Sequence, residues 1–318
     1  MPIGPSALPV GSQEWPRMVQ VDTTVPHSAR MYDYVLGGKD NYLVDREAAE
    51  EALKVWPGLW TSMRVNRAVM RRMAHWLTVE AGVRQFLDIG TGIPTSPNLH
   101  EVVQETAPES RVVYVDNDPI VLVHARALLS STPQGRTSYV EADMRKPDAL
   151  FSSPELRNTL DLSRPVAVTV IAMLQFVEDA AGLIEKLTAP LAPGSYLAIT
   201  AATADLAKGS TALAEVYNRR GVPMYLRSRD ELTALFADRY DLVEPGVVPM
   251  QHWHPVEGRN RSASRTPTCS RVWAGCAEPA GGERRRPSAC RMCYPLACWI
   301  RTMLPEGSRN AESRGPQG

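Results

Sequence analysis

RQFLDIGTGIPT, residues 84–95, is the stretch on which the fold turns. A short apolar run reaches Asp88 and breaks into Gly90-Thr91-Gly92. Glycines there let the backbone turn sharply and come close to a ligand that a Cβ would block. Alone, Gly-x-Gly is also an ordinary strand-to-helix turn. Two further stretches repeat the arrangement. RVVYVD (111–116) ends on Asp116, 24 residues beyond Gly92, with Asn117 next, and TSYVEAD (137–143) ends on Asp143 with Met144 next. One such acid at a strand end is commonly a helix cap. Three signals in order at one sheet edge point instead to a shared ligand.

Helical patterns fill the gaps between these runs. The spacing predicts helices over 96–106 and 118–129, the second capped by Asp118 with Pro119 in its first turn. PVAVTVIAML (165–174) reads as a fourth strand, apolar throughout as for a strand covered on both faces. Asp179 to Ala189 reads as a helix and SYLAIT (195–200) as a fifth strand. Helices follow at 210–220 and 229–237, then YDLVEP (240–245) and RVWAGCA (271–277) as closing strands. Alternating strands and helices imply a parallel sheet with right-handed crossovers and a ligand at the carboxyl ends of its strands.

Upstream, Ser28 is read as the cap of a short helix ended by Gly37-Gly38, and Asp45 as the cap of a second one from Arg46 to Lys54. Leu59 to Val79 has helical spacing, with Met63, Val69, Met70, Met73, Trp76 and Leu77 on its apolar face. Arg64, Arg67, Arg71 and Arg72 are read as solvated surface. The domain reading is a leader at 1–25, an N-terminal helical lid at 26–80, a nucleotide-binding α/β domain at 81–277 and a disordered tail at 278–318.

The nature of the ligand follows from the loop. A dinucleotide fold favours Gly-x-Gly-x-x-Gly, because its helix N-terminus holds a pyrophosphate. Here Thr95 stands at the third glycine position after Pro94, and no Lys follows the loop. An acid ahead of the glycines suits a ligand with an amino group and a sulfonium, as S-adenosylmethionine has. Asp116 can accept from ribose hydroxyls, Asp143 from an adenine amino group, and Met144 can face the ring.

The 318 residues carry 35 Lys+Arg against 35 Asp+Glu, a zero formal charge that gives no sign of a nucleic-acid footprint or membrane attraction. The balance conceals an asymmetry. From Gly258 onward there are eleven Arg, no Lys and four Glu, and all five cysteines lie there too. That composition resembles out-of-frame translation of GC-rich DNA, so the tail is read as accreted. With no cysteine in the first 257 residues, the folded body has neither a disulfide framework nor a Cys metal site. His252-x-His254 lacks further ligands, and no metal is expected. With no secretory pattern at the start and no apolar run long enough to span a bilayer, a cytoplasmic location is expected.

SARMYDYVLGGKDNYLVDRE (28–47), MRVNRAVMRR (63–72), FLDIGTGIPT (86–95), VVYVDNDPIVLVHARALL (112–129) and YVEADMR (139–145) together resemble the actinobacterial S-adenosyl methyltransferase family, once a domain of unknown function. PVAVTVIAMLQFV (165–177) and RSRDELTALFADRYDLVEPGVVP (227–249) continue the likeness, which spans about residues 22–257. The resemblance implies a Rossmann-like class I methyltransferase. Its sheet would have seven mostly parallel strands, the last antiparallel, with helices on both faces. It also implies S-adenosylmethionine as cofactor, with contacts at Asp88, Gly90, Thr91, Gly92, Asp116, Asn117, Asp143, Met144 and Met173. It supplies no acceptor.

Where relatives carry a His after the fourth strand this chain has Gln175, an amide that cannot take up a proton at neutral pH. No catalytic base is therefore assigned. MLQF (173–176) in place of an acid or Asn followed by Pro-Pro and an aromatic argues against methylation of a flipped base. A small-molecule acceptor is expected, with Tyr32, Asp33, Tyr34, Asn41 and Gln175 as candidate contacts. Two other readings stand beside this one: a non-catalytic module that senses S-adenosylmethionine or S-adenosylhomocysteine, and a nicotinamide-dependent oxidoreductase, which the missing third glycine disfavours.

Overall fold

Leu87 and Ile89 of strand β1 (Gln85–Ile89) belong to one apolar cluster, and Phe86, just before Leu87, belongs to another. That alternation places a core on each face of the sheet, as expected for a strand covered by helices on both sides. The structure is a computed structural model and describes residues 21–128, 130–205, 209–236, 240–254 and 296–303. Strand β1 pairs in parallel with β2 (Arg111–Asp116) and with β4 (Ala167–Ile171). Strand β3 (Arg136–Glu141) extends the sheet beyond β2, and β5 (Tyr196–Ala202) extends it beyond β4, both in parallel. The order 3-2-1-4-5 reverses direction between β1 and β4, the position where ligands bind in open α/β sheets.

The far edge departs from expectation. The parallel run has five strands, not a near-complete seven. Strand β8 (Leu296–Met303) lies antiparallel between β5 and β6 (Tyr240–Leu242), and the two-residue β7 (Val248–Pro249) pairs with β8, giving eight strands among the described residues. The segment LACWIRTM was read as part of a disordered tail, yet its Ile, Trp, Thr and Cys favour extended structure and β5 offers an unpaired edge. RVWAGCA, expected as the final strand, lies outside the described residues.

Helix α3 (Leu59–Val79) spans the range its periodicity predicts and buries Val69, Met70, Met73 and Leu77 against the sheet. The caps of its two predecessors differ from the reading. His27, not Ser28, accepts from the Ala29 N–H at the start of α1 (Ser28–Val35). Asp45 is not the cap of α2 (Leu43–Val55). It sits three residues inside and accepts from the Tyr42 N–H, the reciprocal half of a capping box. Helix α4 (Leu99–Thr106) begins three residues later than expected. Pro97 disfavours helical backbone at Ser96, and Asn98 with Glu101 forms the capping box. Asp118 caps α5 (Pro119–Leu128) through the Ile120 N–H at 3.1 Å, as predicted.

Helices α6 (Pro147–Ser152) and α7 (Pro154–Thr159) follow β3, and α8 (Ala180–Thr188) connects β4 to β5. After β5 come α9 (Ser210–Arg219) and α10 (Arg229–Ala234). Helices α1, α2 and the start of α3 gather with α9 into a third apolar cluster away from the sheet, around Met31, Ala48, Leu59, Met63, Leu213 and Tyr217. Among the described residues no helix is long and apolar enough to cross a membrane.

Candidate functional site

The carboxyl ends of β1, β2 and β4 open into a cavity walled by residues of α1, α3 and α9. Its empty space is about 1270 Å³, open solvent at the mouth included. A second hollow adjoins it and shares Gly90, Asp116, Asn117, Met173 and Phe176. Gly90, Asp116 and Asp143 all line this second hollow, so the three strand tips face one space.

Gly90 and Gly92 both have positive φ, +71° and +69°, which favours glycine. A Cβ on Gly90 would lie 2.3 Å from Met173 Cγ, whereas beside Gly92 the nearest atom would be 4.0 Å away. Thr91 lies between them on the cavity wall. The Gly92 N–H donates to Asp116 Oδ2 at 2.8 Å, and the Asp118 N–H to Asp116 Oδ1 at 2.9 Å. Each Asp116 oxygen keeps acceptor capacity for a further donor. Burial pushes the Asp116 carboxyl up, against those two N–H bonds.

Asp88 accepts from the Thr169 hydroxyl at 2.5 Å. Enclosure by protein raises its pKa from 3.8 to about 6, opposed by the Thr169 bond and by the Arg67 charge. An acid with a raised folded pKa destabilises the fold as pH rises through the window between the two values. Above about pH 6 Asp88 is an ionised carboxylate on the cavity wall, short of positive partners. A cationic ligand group suits it.

Asp143 stands at the outer rim, chelated by Arg145 Nε at 2.8 Å and Nη2 at 2.8 Å, which holds its carboxyl below the usual range. Met144 and Asn117 line the same hollow. Among the described residues no Lys lines either space. Close-approach glycines, Asp88 and the two downstream acids form a donor set that fits S-adenosylmethionine.

Of the five candidate acceptor contacts, Tyr32, Asp33 and Gln175 line the cavity, and Tyr34 and Asn41 do not. Two residues apart on α1, Tyr32 and Tyr34 point to different faces. The Tyr34 hydroxyl donates to Glu50 at 2.6 Å. Asn41 is held between Asp33, to which it donates at 2.7 Å, and Arg46, from which it accepts at 2.7 Å. Gln175 Nε2 donates to the Ala172 carbonyl at 2.6 Å, and its Oε1 is buried with no partner.

Several residues on or around the cavity wall carry no signal in the sequence. Arg67 is not solvated surface: it donates to the Thr95 and Pro97 carbonyls and lines the cavity. Arg72 likewise reaches across to the Met250 and Trp253 carbonyls at 2.7 and 2.8 Å. Asn66 accepts from Thr200 at 2.7 Å and donates to the Tyr32 hydroxyl at 3.1 Å, linking α3, β5 and α1. Arg30 lies 3.2 Å from Asp118 and 3.6 Å from Asp45, all three buried, and ties α1 to the turn after β2. Nothing in local periodicity marks these groups, because each partner is distant in sequence.

A family model described as S-adenosyl methyltransferase matches residues 14–280. The crystal structure of a DUF574 family protein from Streptomyces avermitilis is 45% identical and superposes with a TM-score of 0.78, over 90% of this chain and 100% of the other. The structure of a putative methyltransferase from Thermobifida fusca is 35% identical with a TM-score of 0.74, over 89% and 97%. None of the curated proteins matches. The chain belongs to the S-adenosyl methyltransferase family, and it is an S-adenosylmethionine-dependent methyltransferase.

Proposed function

We propose that the strand tips hold S-adenosylmethionine in one extended pose and that a small molecule enters from the helical side to receive the methyl group. In this reading Asp143 and Met144 take the adenine, Asp116 with Asn117 the ribose, and Asp88 the amino group of the methionine end. Arg67 faces that end's carboxylate, Gly90, Thr91 and Gly92 let the backbone approach, and Met173 lies beside the sulfonium. The observation that carries it is the single hollow lined by Gly90, Asp116 and Asp143, residues of three different strand ends.

When bound, S-adenosylmethionine supplies an electrophilic methyl carbon on a positively charged sulfur. The chain's own task is then alignment and exclusion of water, which can offset about 7–11 kcal/mol of barrier. Asp88, ionised at neutral pH, fixes the cationic end. Helices α1 and α3 act as a lid that screens the reacting centre. The Tyr32 and Tyr217 hydroxyls, both raised by burial, stay protonated at neutral pH and orient without accepting a proton.

Calorimetry with S-adenosylhomocysteine tests the reading. Asp116→Ala is expected to weaken binding at least tenfold, about 1.4 kcal/mol. Unchanged affinity in this variant removes the assignment.

A further inference from the structure

We propose, resting on that reading of the strand tips, that the helical end of the cavity selects an uncharged, ring-bearing acceptor that carries a hydrogen-bond donor. The ionisable groups that line the wall, tyrosines aside, are His27, Asp33, Arg67, Asp88 and Asp116. Each has a protein partner. Arg67 is held by the Thr95 and Pro97 carbonyls, and Asp33 by the Asn41 amide and the Asp40 N–H. Asp88 is held by Thr169, Asp116 by the Gly92 and Asp118 N–H groups, and His27 lies 3.2 Å from Asp118. In the strand-tip reading Arg67, Asp88 and Asp116 serve the cofactor, and the two that remain, Asp33 and His27, are already engaged, so an acceptor with a charge of its own would meet no unengaged counter-charge at the helical end.

The unpartnered polar atoms on the same wall are neutral. Ser62 Oγ and Gln175 Oε1 are buried without partners. The Tyr217 side chain, on a residue only 3% exposed, lines the same wall and brings a further neutral hydroxyl. Leaving a buried polar group unpaired costs about 1–3 kcal/mol, which a ligand with matching groups recovers. The Gln175 amide is oriented by its bond to Ala172, so the atom left over is an acceptor and asks for an O–H or N–H.

The rest of this end is apolar and flat-sided. Phe176 and Tyr217 stack with centroids 6.1 Å apart and planes 26° from parallel. Trp56 is bracketed by two glycines: a Cβ on Gly58 or on Gly209 would lie 2.8 Å from its indole. Leu59, Met63, Leu213 and Met224 complete the lining. Such walls favour an aromatic ring, which contributes stacking beyond its buried area.

The test uses the full chain saturated with S-adenosylhomocysteine, titrated calorimetrically at pH 7 with 2-naphthol and with 2-naphthoate. The neutral 2-naphthol is expected to bind at least tenfold more tightly than the anion. The double variant Ser62→Ala/Tyr217→Phe is expected to lose at least threefold in 2-naphthol affinity while binding S-adenosylhomocysteine as before. Tighter binding of 2-naphthoate, binding of neither probe to a chain that holds S-adenosylhomocysteine, or an unaltered 2-naphthol affinity in the double variant overturns the proposal. Failure of S-adenosylhomocysteine itself to bind overturns the strand-tip reading instead. The naphthol pair, titrated without it, then judges the chamber by the same criterion.

Discussion

The floor and the roof of the cavity are built on opposite plans. The floor consists of strand ends, where Asp116 accepts from backbone N–H groups two and 24 residues away and Asp88 from the Thr169 hydroxyl. The roof consists of helix faces from α1, α3 and α9, mostly apolar apart from Asp33 and Arg67, and includes bonds that span 31 and 134 residues. The contrast teaches that a fixed cofactor and a variable acceptor place different demands on one fold. A donor molecule with constant charges is met by charges on the most rigid element. An acceptor is met mainly by apolar packing between helix faces.

The sharpest way to break this contrast is to make the same truncation in both layers. Leu87→Ala, in the fully buried centre of β1, is expected to cost about 2–5 kcal/mol in urea unfolding. Leu59→Ala, whose side chain borders the cavity, should cost less because little close packing is lost there. Equal costs would mean that the roof is as tightly packed as the floor.

Gly90→Val comes next. A positive φ and a Cβ 2.3 Å from Met173 both oppose it, and S-adenosylhomocysteine affinity should fall at least tenfold, about 1.4 kcal/mol. Third, affinity for S-adenosylmethionine should fall as pH drops below about 6, approaching tenfold per unit, because Asp88 takes up a proton and loses its hold on the amino group. Asp88→Asn should flatten that dependence in calorimetry between pH 5 and 7. A profile of the same slope in both proteins would detach Asp88 from the cofactor. The smallest effect is expected from Gly209→Ala. The new methyl pushes Trp56 toward the chamber, so 2-naphthol affinity should drop a few-fold with S-adenosylhomocysteine affinity unchanged.

The floor was legible in the sequence and the roof was not, for a physical reason. Asp88, Gly90, Asp116 and Asp143 sit at strand ends whose β period and flanking turns are local signals. The roof is assembled by tertiary packing, so Tyr217 and Met224 meet Met63 across some 150 residues without any shared pattern. Arg67 shows the same limit. A charged residue on a helix is usually exposed, and only the folded chain reveals that the loop after β1 offers it two carbonyls. Tyr34 and Asn41 failed in the opposite sense, since polar groups in a distinctive segment proved to serve its own internal bonding.

The trio of Arg30, Asp45 and Asp118 constrains how this protein can change over time. One guanidinium lies against two buried carboxylates, and its Nε approaches Asp118 at ion-pair distance without hydrogen-bond alignment. Losing the arginine alone would strand two enclosed negative charges, a penalty of roughly 3–5 kcal/mol for a broken buried pair, and replacing the aspartates as well would remove the Asp118 cap of α5 and the Asp45 half of the α2 capping box. Single substitutions within the trio are therefore expected to be costly, and a change on the N-terminal helix at Arg30 has to be matched in the turn beside Asp116.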